Sequence, residues 1–398
     1  MRLLTCILLV LAAIPTRGDD PKPASPIRVK LDAATKLVDQ SLAERSRAYR
    51  EIAVGPGTDA EKLPRYDGPV ERHHRAITPT MDDLLAAASD HPDDLAAIDA
   101  LRFVIVEARG LTTGQVGRAI SLLSRDHVRA PNISTASGPV WLYNDKPEAI
   151  ALLRAIMLDN PSRLERGRAC HDLAFLIKAR IESGERFRVR SPGVPLPSWL
   201  LGADLPALRT EAIALYERSL SEFADVPLGE YSPGKTIGDF APGELTALRD
   251  IQVGQTAPEI AGQDVDGHPM RLSDHRGKVV VLIFSGEWCG PCKAAAPHFR
   301  DLLKPEAQKT APCVVLEVNT DATREPVRKA IAAGDITWPC WFDGGTEGPI
   351  TLAWGISSFP SIFVLDPQGV IRAKSLRGET TAAAVAAAQI KLTPPREP

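Results

Sequence analysis

The chain has 398 residues, enough for roughly two or three domains, and its 44% apolar and 24% charged residues are typical of a globular protein. Its 47 Lys and Arg face 50 Asp and Glu, so it lacks the basic surplus with which nucleic-acid-binding proteins neutralise phosphates. The 6 cysteines are too few for a disulfide scaffold at this length.

Residues 1–18 have the layout of a secretory signal peptide: Arg2 precedes an apolar run at 3–14, and acidic residues follow Gly18. The run is shorter than the ~20 residues that cross a bilayer as a helix. We therefore expect cleavage near Gly18, no stable membrane span, and an exported protein in the periplasm or another extracytoplasmic compartment. A buried N-terminal helix is the alternative. Residues 19–30, rich in proline and charge, are predicted to be a tether.

Residues 31–225 show helical periodicity and are predicted to form an all-α domain. Pro147 and Pro206 suit the first turns of helices. The sequence EAIAL occurs at 148–152 and again at 211–215, an offset that is no multiple of the roughly 34-residue tetratricopeptide period. Both a tetratricopeptide-like and an irregular helical domain stay open.

Proline and glycine recur through residues 226–252, a composition that predicts a linker. Beyond it, strand-like and helix-like runs alternate, which predicts an α/β domain at 253–398 with a largely parallel sheet. The strand-like runs lie at 278–284, 313–318, 337–342, 361–365 and 370–373. Helices are expected after Cys292, Thr323 and Thr380.

The sequence CGPC at 289–292 joins a strand-like run to a helical one. A helix N-terminus carries about half a positive charge and free N–H groups, which stabilise a thiolate over a thiol. Cys289, at the exposed end, is therefore predicted to be the nucleophile. Cys292, about one turn inside, is predicted to attack the mixed disulfide that Cys289 forms.

Other uses of this cysteine pair fit less well. A zinc site needs a second pair of ligands, and none of the 8 histidines or the other cysteines has the required spacing. A c-type haem needs histidine directly after Cys292, where Lys293 stands. An inert structural disulfide is the remaining alternative to redox chemistry. We expect no metal and no other cofactor.

Residues 287–293 resemble the active-site segment of thioredoxin, and Pro297 matches the proline that kinks the following helix in that family. The flanks are similar to those of TlpA-like thiol-disulfide oxidoreductases, also grouped with the redoxins. These flanking motifs lie at 257–259, 266–267, 272–273, 276–278, 358–361 and 366–369. The resemblance covers about residues 253–392 and implies a C-terminal thioredoxin fold.

The resemblance also implies how a substrate is held. In that family a proline with a cis peptide bond faces the two cysteines, and the preceding residue pairs with an extended substrate segment. The matching positions are Pro360 and Phe359. Substrate contacts are further implied for Trp288, Gly290 and Pro291, beside the cysteines.

Two positions depart from related families. Thioredoxin carries a buried aspartate six residues before its first cysteine, where Ile283 stands. Glu287 is then either a substitute base for Cys292 or a solvated loop carboxylate. Peroxiredoxins, which share the fold, carry Thr or Ser three residues before the reactive cysteine, where Gly286 stands. Peroxide reduction is therefore disfavoured as the main activity.

Three further cysteines lie outside the motif. Cys313 and Cys340 admit a second disulfide or a resolving role, but buried, unreactive thiols on strands are the commoner case. Cys170 lies on an amphipathic helix and is predicted to belong to the core.

The sequence thus predicts an exported thiol-disulfide oxidoreductase that exchanges disulfides with other proteins through Cys289 and Cys292, as a reductant. The expected partners are protein disulfides or dithiols and a redox protein that recharges the motif, not nucleic acid. Two alternatives stay open: a helical protein-binding or scaffold module with an accessory redox domain, and a thiol peroxidase of the redoxin group.

Overall fold

The computed structural model describes residues 25–390 except 57–58, 109–113, 191–193, 231, 311, 375 and 377. The predicted signal peptide and residues 19–24 of the predicted tether lie outside the described residues. Within the described part of the chain, no helix is both long and apolar enough to cross a membrane. The chain divides into two compact units at the boundary between Val104 and Ile105.

The first unit is helical. Its described helices, the last of which runs across the boundary, are α1 (Pro26–Val54), α2 (Asp59–Lys62), α3 (Asp67–Asp90) and α4 (Ala96–Glu107). Helix α1 begins at Pro26 because Ser25 Oγ accepts the Arg28 N–H at 3.0 Å and proline suits a first turn. Ile27 in this turn is buried. The tether prediction is therefore wrong for residues 26–30, where a capped helix has already begun.

The second unit begins with helices as well. Its described helices ahead of the sheet are α5 (Gln115–Leu122), α6 (Ser134–Ser137), α7 (Pro147–Asp159), α8 (Arg163–Arg190), α9 (Leu205–Phe223) and α10 (Ile237–Arg249). Prolines occupy the first turns of α7 and α9, as predicted. The two EAIAL sequences fall in α7 and α9, which have 13 and 19 residues and flank a helix of 28. These lengths match an irregular helical domain rather than a repeat of fixed period.

Helix α10 occupies about half of the predicted Pro/Gly linker, 13 residues of it, and the linker prediction is wrong for those residues. Thr236 and Asp239 form a capping box, in which the Thr236 N–H donates to Asp239 Oδ2 at 2.7 Å. Pro242 lies inside the helix. Gly243 faces Leu352, and an added Cβ would stand 1.7 Å from the Leu352 carbonyl oxygen. Glycine is needed here because two backbones touch, not because the chain must flex.

The rest of the second unit is built on a sheet. The strands are β1 (Ala261–Gln263), β2 (Pro269–Arg271), β3 (Val279–Ser285), β4 (Cys313–Asn319), β5 (Cys340–Phe342), β6 (Ser361–Leu365) and β7 (Ile371–Ala373). The helices are α11 (Gly290–Leu302), α12 (Pro305–Thr310), α13 (Arg324–Ala333), α14 (Pro349–Ala353) and α15 (Gly378–Ile390). The order across the main sheet is β5-β4-β3-β6-β7. Strands β3, β4 and β5 are parallel, β6 is antiparallel to β3, and β7 is antiparallel to β6. A helical region followed by a thioredoxin-like fold confirms the predicted fold class.

Side-chain alternation along β3 separates two apolar cores. Val279, Val281 and Ile283 face the core that α11, α13 and α15 cover. The alternate residues Val280, Leu282 and Phe284 face a second core, which also contains Ile251. Ile251 directly follows the last turns of α10, so residues ahead of position 253 complete the core of the sheet. The remaining domain limits, 31–225 and 253–398, stay predictions.

Candidate active site around the CGPC disulfide

Cys289 and Cys292 are joined by a disulfide at the start of α11, with their Cα atoms 5.2 Å apart. Cys289 is the N-cap residue, and its Sγ accepts the Cys292 N–H at 3.2 Å. The helix can start here because Pro291 fits a first turn. Gly290 and Pro291 are exposed, whereas each cysteine is only 4% exposed. The sulfur atoms therefore lie at the positive end of the helix dipole, as predicted.

Two aromatic side chains flank this turn. Trp288 is exposed, and its Nε1 donates to the Thr320 carbonyl at 3.2 Å. Its ring meets the Phe359 ring edge to face, with the centroids 5.3 Å apart. The Phe359–Pro360 peptide bond is cis, as the resemblance implied. Because β6 starts directly after Pro360 and pairs with β3, the cis bond lies beside the loop that leads from β3 into the motif.

Gly286 lies against the Trp288 indole. A Cβ at this position would stand 2.4 Å from Trp288 Nε1 and 3.1 Å from Thr320 Oγ1. Threonine or serine would therefore displace the indole that flanks the disulfide. This packing gives a steric reason for glycine where peroxiredoxins carry a hydroxyl residue.

The carboxyl groups near the motif differ from the expectation. Ile283 is buried in the apolar core, so β3 supplies no base. Glu287 is half-buried and pairs with Lys293, whose Nζ lies 3.2 Å from Glu287 Oε2. Glu317 on β4 is the register partner of Ile283 and is 2% exposed. Sequence reasoning missed Glu317, although a carboxyl inside the apolar run 313–318 was a signal for it.

Glu317 and Cys292 line the same cavity, which has a volume of about 280 Å³. Trp338 Nε1 donates to Glu317 Oε2 at 2.8 Å, and Asn319 Nδ2 donates to Oε1 at 3.4 Å. Burial raises the pKa of Glu317 above its ordinary value, while hydrogen bonds from Trp338, Asn319 and Ser285 oppose that rise. A buried carboxyl thus faces the space beside the buried cysteine.

A larger cavity, of about 500 Å³, also includes Phe359 in its wall. The helical region contributes aromatic side chains to it, and α14 with the loop ahead of the cis bond contributes aliphatic ones. These lining residues are Trp141, Phe175, Phe240, Leu352 and Ile356. The cavity therefore brings the helices next to a residue for which substrate contact was predicted.

Cys170, Cys313 and Cys340 are buried and carry no disulfide. Burial raises the pKa of each of these thiols. The structure agrees with the unreactive alternative for Cys313 and Cys340 and with a core position for Cys170, whose Sγ lies 3.3 Å from Ser219 Oγ. None of them belongs to a metal site, since the described residues hold no group of three or more His, Cys, Asp or Glu suited to an ion.

Comparisons with known proteins place this part of the chain. Residues 253–374 match the sequence model of the AhpC/TSA family. The thiol-disulfide oxidoreductase ResA of Geobacillus thermodenitrificans is 33% identical over 137 residues, which are 34% of this chain and 76% of the relative. The thioredoxin-like protein YneN of Bacillus subtilis is 32% identical over 122 residues, which are 31% of this chain and 70% of that protein.

A solved thioredoxin domain, from a thiol-disulfide oxidoreductase of Bacteroides vulgatus, aligns over 36% of this chain and 99% of its own, with 28% identity and a TM-score of 0.31. The identity and coverage of the two curated relatives decide the family. The chain is an enzyme and belongs, through its C-terminal part, to the thiol-disulfide oxidoreductases of the thioredoxin superfamily.

Proposed function

We propose that the chain is an exported reductant of protein disulfides that works through Cys289 and Cys292. The observation that carries the proposal is the disulfide at a helix N-terminus, flanked by Trp288 and lying beside the cis bond of Pro360. The Gly-Pro pair between the cysteines resembles the reducing members of the superfamily. Export rests on the sequence pattern of residues 1–18.

The proposed reaction is a pair of exchange steps. The Cys289 thiolate attacks one sulfur of a substrate disulfide, and the other substrate sulfur leaves as a thiolate and takes up a proton. Cys292 then loses its proton and attacks Cys289 Sγ, which releases the second substrate sulfur as a thiol. The substrate gains two electrons and two protons, and the motif is left as a disulfide. A redox partner returns the two electrons and two protons.

Substrate binding is proposed at the surface around the disulfide. An extended substrate segment pairs with the backbone at Phe359, ahead of β6, as an added strand. Gly290 and Pro291 are exposed and leave the approach to Cys289 open. The exposed indole of Trp288 offers an apolar contact beside the attacked sulfur.

A second function, substrate recognition, is proposed for the helical region because of the cavity beside Phe359. The 500 Å³ cavity joins helical residues to Phe359. We propose that it receives apolar side chains near the substrate cysteine. Trp141→Ala is expected to raise KM for a protein substrate and to leave the reaction with dithiobis(nitrobenzoic acid) unchanged, whereas a change in both reactions would contradict a recognition role.

The trapping experiment tests the main proposal. In Cys292→Ser the first attack remains and the resolving attack is lost, so substrates should stay bound to Cys289 as mixed disulfides. Non-reducing electrophoresis of extracytoplasmic extracts should show adducts that a reductant releases. Two single variants that keep Cys292, Cys289→Ser and Cys313→Ser, are the matched controls. Neither should show such adducts.

Two outcomes would redirect the proposal. Recovery of nothing beyond the Cys289→Ser control would exclude a protein-disulfide substrate, and peroxide consumption by the native chain would then favour the peroxidase alternative. A Cys289/Cys292 potential well above the thioredoxin value of about −270 mV would assign the oxidising direction instead. Sequencing of the mature N-terminus from cells tests export and the cut near Gly18.

A further inference from the structure

We propose that Glu317 accepts the proton of the Cys292 thiol, through the cavity that both side chains line, when Cys292 attacks the mixed disulfide on Cys289. The inference rests on the exchange roles proposed for the two cysteines. It assigns a function to a buried carboxyl that the apolar packing of the sheet does not require.

The position of Glu317 supports the assignment. It lies in the middle of β4 opposite Ile283, and the cavity between this part of the sheet and α11 also exposes Cys292. A cavity of about 280 Å³, whose lining includes charged side chains as well as apolar ones, is large enough for several waters, each of which occupies about 30 Å³ in the liquid. A proton can therefore pass between the two side chains without opening the fold.

The partners of Glu317 leave its charge uncompensated. Its hydrogen-bond donors, Trp338, Asn319 and Ser285, are all neutral. A buried carboxylate without a positive partner costs several kcal/mol, so its retention in an apolar strand calls for a reason. Burial raises the pKa of Glu317 above its ordinary value, which makes its carboxylate a better proton acceptor than an exposed one.

Other charged and titratable groups face the same space. They are Glu287, Lys293 and Arg300 on the motif loop and α11, and Asp335 after α13. The Cys340 thiol on β5 is not part of the cavity wall but is close enough to Glu317 to interact with its charge. Glu287 is the rival acceptor, but it forms an ion pair with Lys293 at 3.2 Å, whereas Glu317 has only neutral hydrogen-bond donors. Arg300 donates to the Asp335 carbonyl at 2.7 Å. Cys340 is buried with a pKa raised well above its ordinary value, so it stays protonated.

The proton step balances within the exchange reaction. The Glu317 carboxylate takes the proton of Cys292, the resulting thiolate forms the bond to Cys289 Sγ, and the substrate sulfur leaves as a thiolate. The protonated Glu317 then gives its proton to the solvent of the cavity, and the leaving thiolate is protonated from solvent. No oxidant or reductant beyond substrate and enzyme is needed.

The test follows the two phases of the reaction of the reduced full chain with dithiobis(nitrobenzoic acid). The first release of nitrothiobenzoate reports attack by Cys289, and the second reports resolution by Cys292. Glu317→Gln keeps the shape of the side chain and an acceptor for Trp338. In this variant we expect the rate of the first phase to be unchanged and the rate of the second phase to fall about 10–100-fold at neutral pH. The pH at which the second-phase rate is half-maximal should rise toward ~8.5, the pKa of a free thiol.

Glu325→Gln, at an exposed carboxyl on α13 outside the cavity, is the matched control and should leave both phases and the midpoint as in the native chain. A native pH profile in Glu317→Gln would overturn the inference, as would a shift found only in Glu287→Gln. A native chain without a first phase would instead overturn the roles proposed for the cysteines. If Glu317→Gln does not fold, infrared difference spectra of the oxidised and reduced native chain decide, because a Glu317 carboxyl band that does not respond to reduction contradicts the proposal.

Discussion

Two regions of the second compact unit differ in how their function is encoded. The redox part, residues 253–390, carries its chemistry in one short motif. The helical part, residues 114–252, carries no such motif, yet its last helix contacts the redox part backbone to backbone at Gly243 and Leu352. A region without a recognisable catalytic motif can therefore still form part of the structure that supports the active site.

Side-chain contacts reinforce this junction. Lys178 on α8 donates to the Gly355 carbonyl at 2.8 Å and is paired with Glu244 on α10. On the redox part, Lys374 lies 3.3 Å from Glu185 of α8. Gly355 precedes the cis bond by a few residues, so the helices hold one end of the loop for which substrate binding is proposed.

The largest effect is expected from cutting the helical part away. A fragment of residues 253–398 loses Ile251 and the cover that α10 gives to the second core of the sheet. Losing Ile251 and uncovering one large apolar neighbour, at about 1.5–3 kcal/mol for each side chain, should lower its free energy of unfolding by about 3–6 kcal/mol. A fragment of residues 232–398, which keeps α10, should unfold at a higher guanidinium concentration. Equal midpoints would show that the two regions are independent domains.

A single substitution should test the ion pair at the junction. Lys178→Met leaves Glu244 buried without its cation, which we expect to cost about 3–5 kcal/mol of unfolding free energy. Lys178→Met combined with Glu244→Leu should recover most of that loss. Chemical denaturation of the full chain measures the unfolding free energies of the single and the double variants. If the losses of the two single variants simply add in the double variant, the pair does not couple α8 to α10.

The backbone contact can be tested with one added methyl group. Gly243→Ala places a Cβ where the Leu352 carbonyl stands, and overpacking of this kind typically costs about 1–3 kcal/mol. Gly114→Ala is the matched control, because nothing lies within 4 Å of an added Cβ there. Thermal unfolding should separate the two variants. A native Tm for Gly243→Ala would weaken the view that the regions share a tight interface.

At neutral pH the smallest effect is expected outside both regions, in the N-terminal unit, which serves as a reference. Burial, with the positive charges of Arg45 and His74, lowers the pKa of His73 to about 4 from about 6.5. The unfolded state binds this proton first, so the unfolding free energy should fall as the pH drops from about 6.5 to about 4. Hydrogen exchange of the α3 backbone amides, followed as a function of pH, measures this change in unfolding free energy. His73→Gln should flatten that dependence, and His91→Gln should not.

The strands of the five-stranded sheet could be predicted because most of them are apolar runs bounded by turn residues. Strands β1 and β2 were not predicted, because each has only three residues and is not an apolar run. The run at 361–365 is β6 without change. The run at 337–342 shortens to β5 because Pro339 has no N–H to donate and Trp338 turns toward Glu317. Local pattern thus predicts where a strand lies better than where its pairing begins.

The two main omissions have separate physical causes. Helix α10 was hidden because Pro242 and Gly243 outweighed the capping box of Thr236 and Asp239, and only the contact with Leu352 explains the glycine. Glu317 was hidden because its significance depends on the register between β3 and β4, which no local spacing reports. The motif itself is contiguous, which is why its geometry could be anticipated.

The three buried thiols have a consequence for the integrity of the chain. Only a thiolate attacks a disulfide, and burial keeps Cys170, Cys313 and Cys340 protonated and out of reach. The native fold is therefore the barrier to internal scrambling of the Cys289–Cys292 bond. Any opening of the core that frees one of these thiols supplies an attacking thiol within the same molecule.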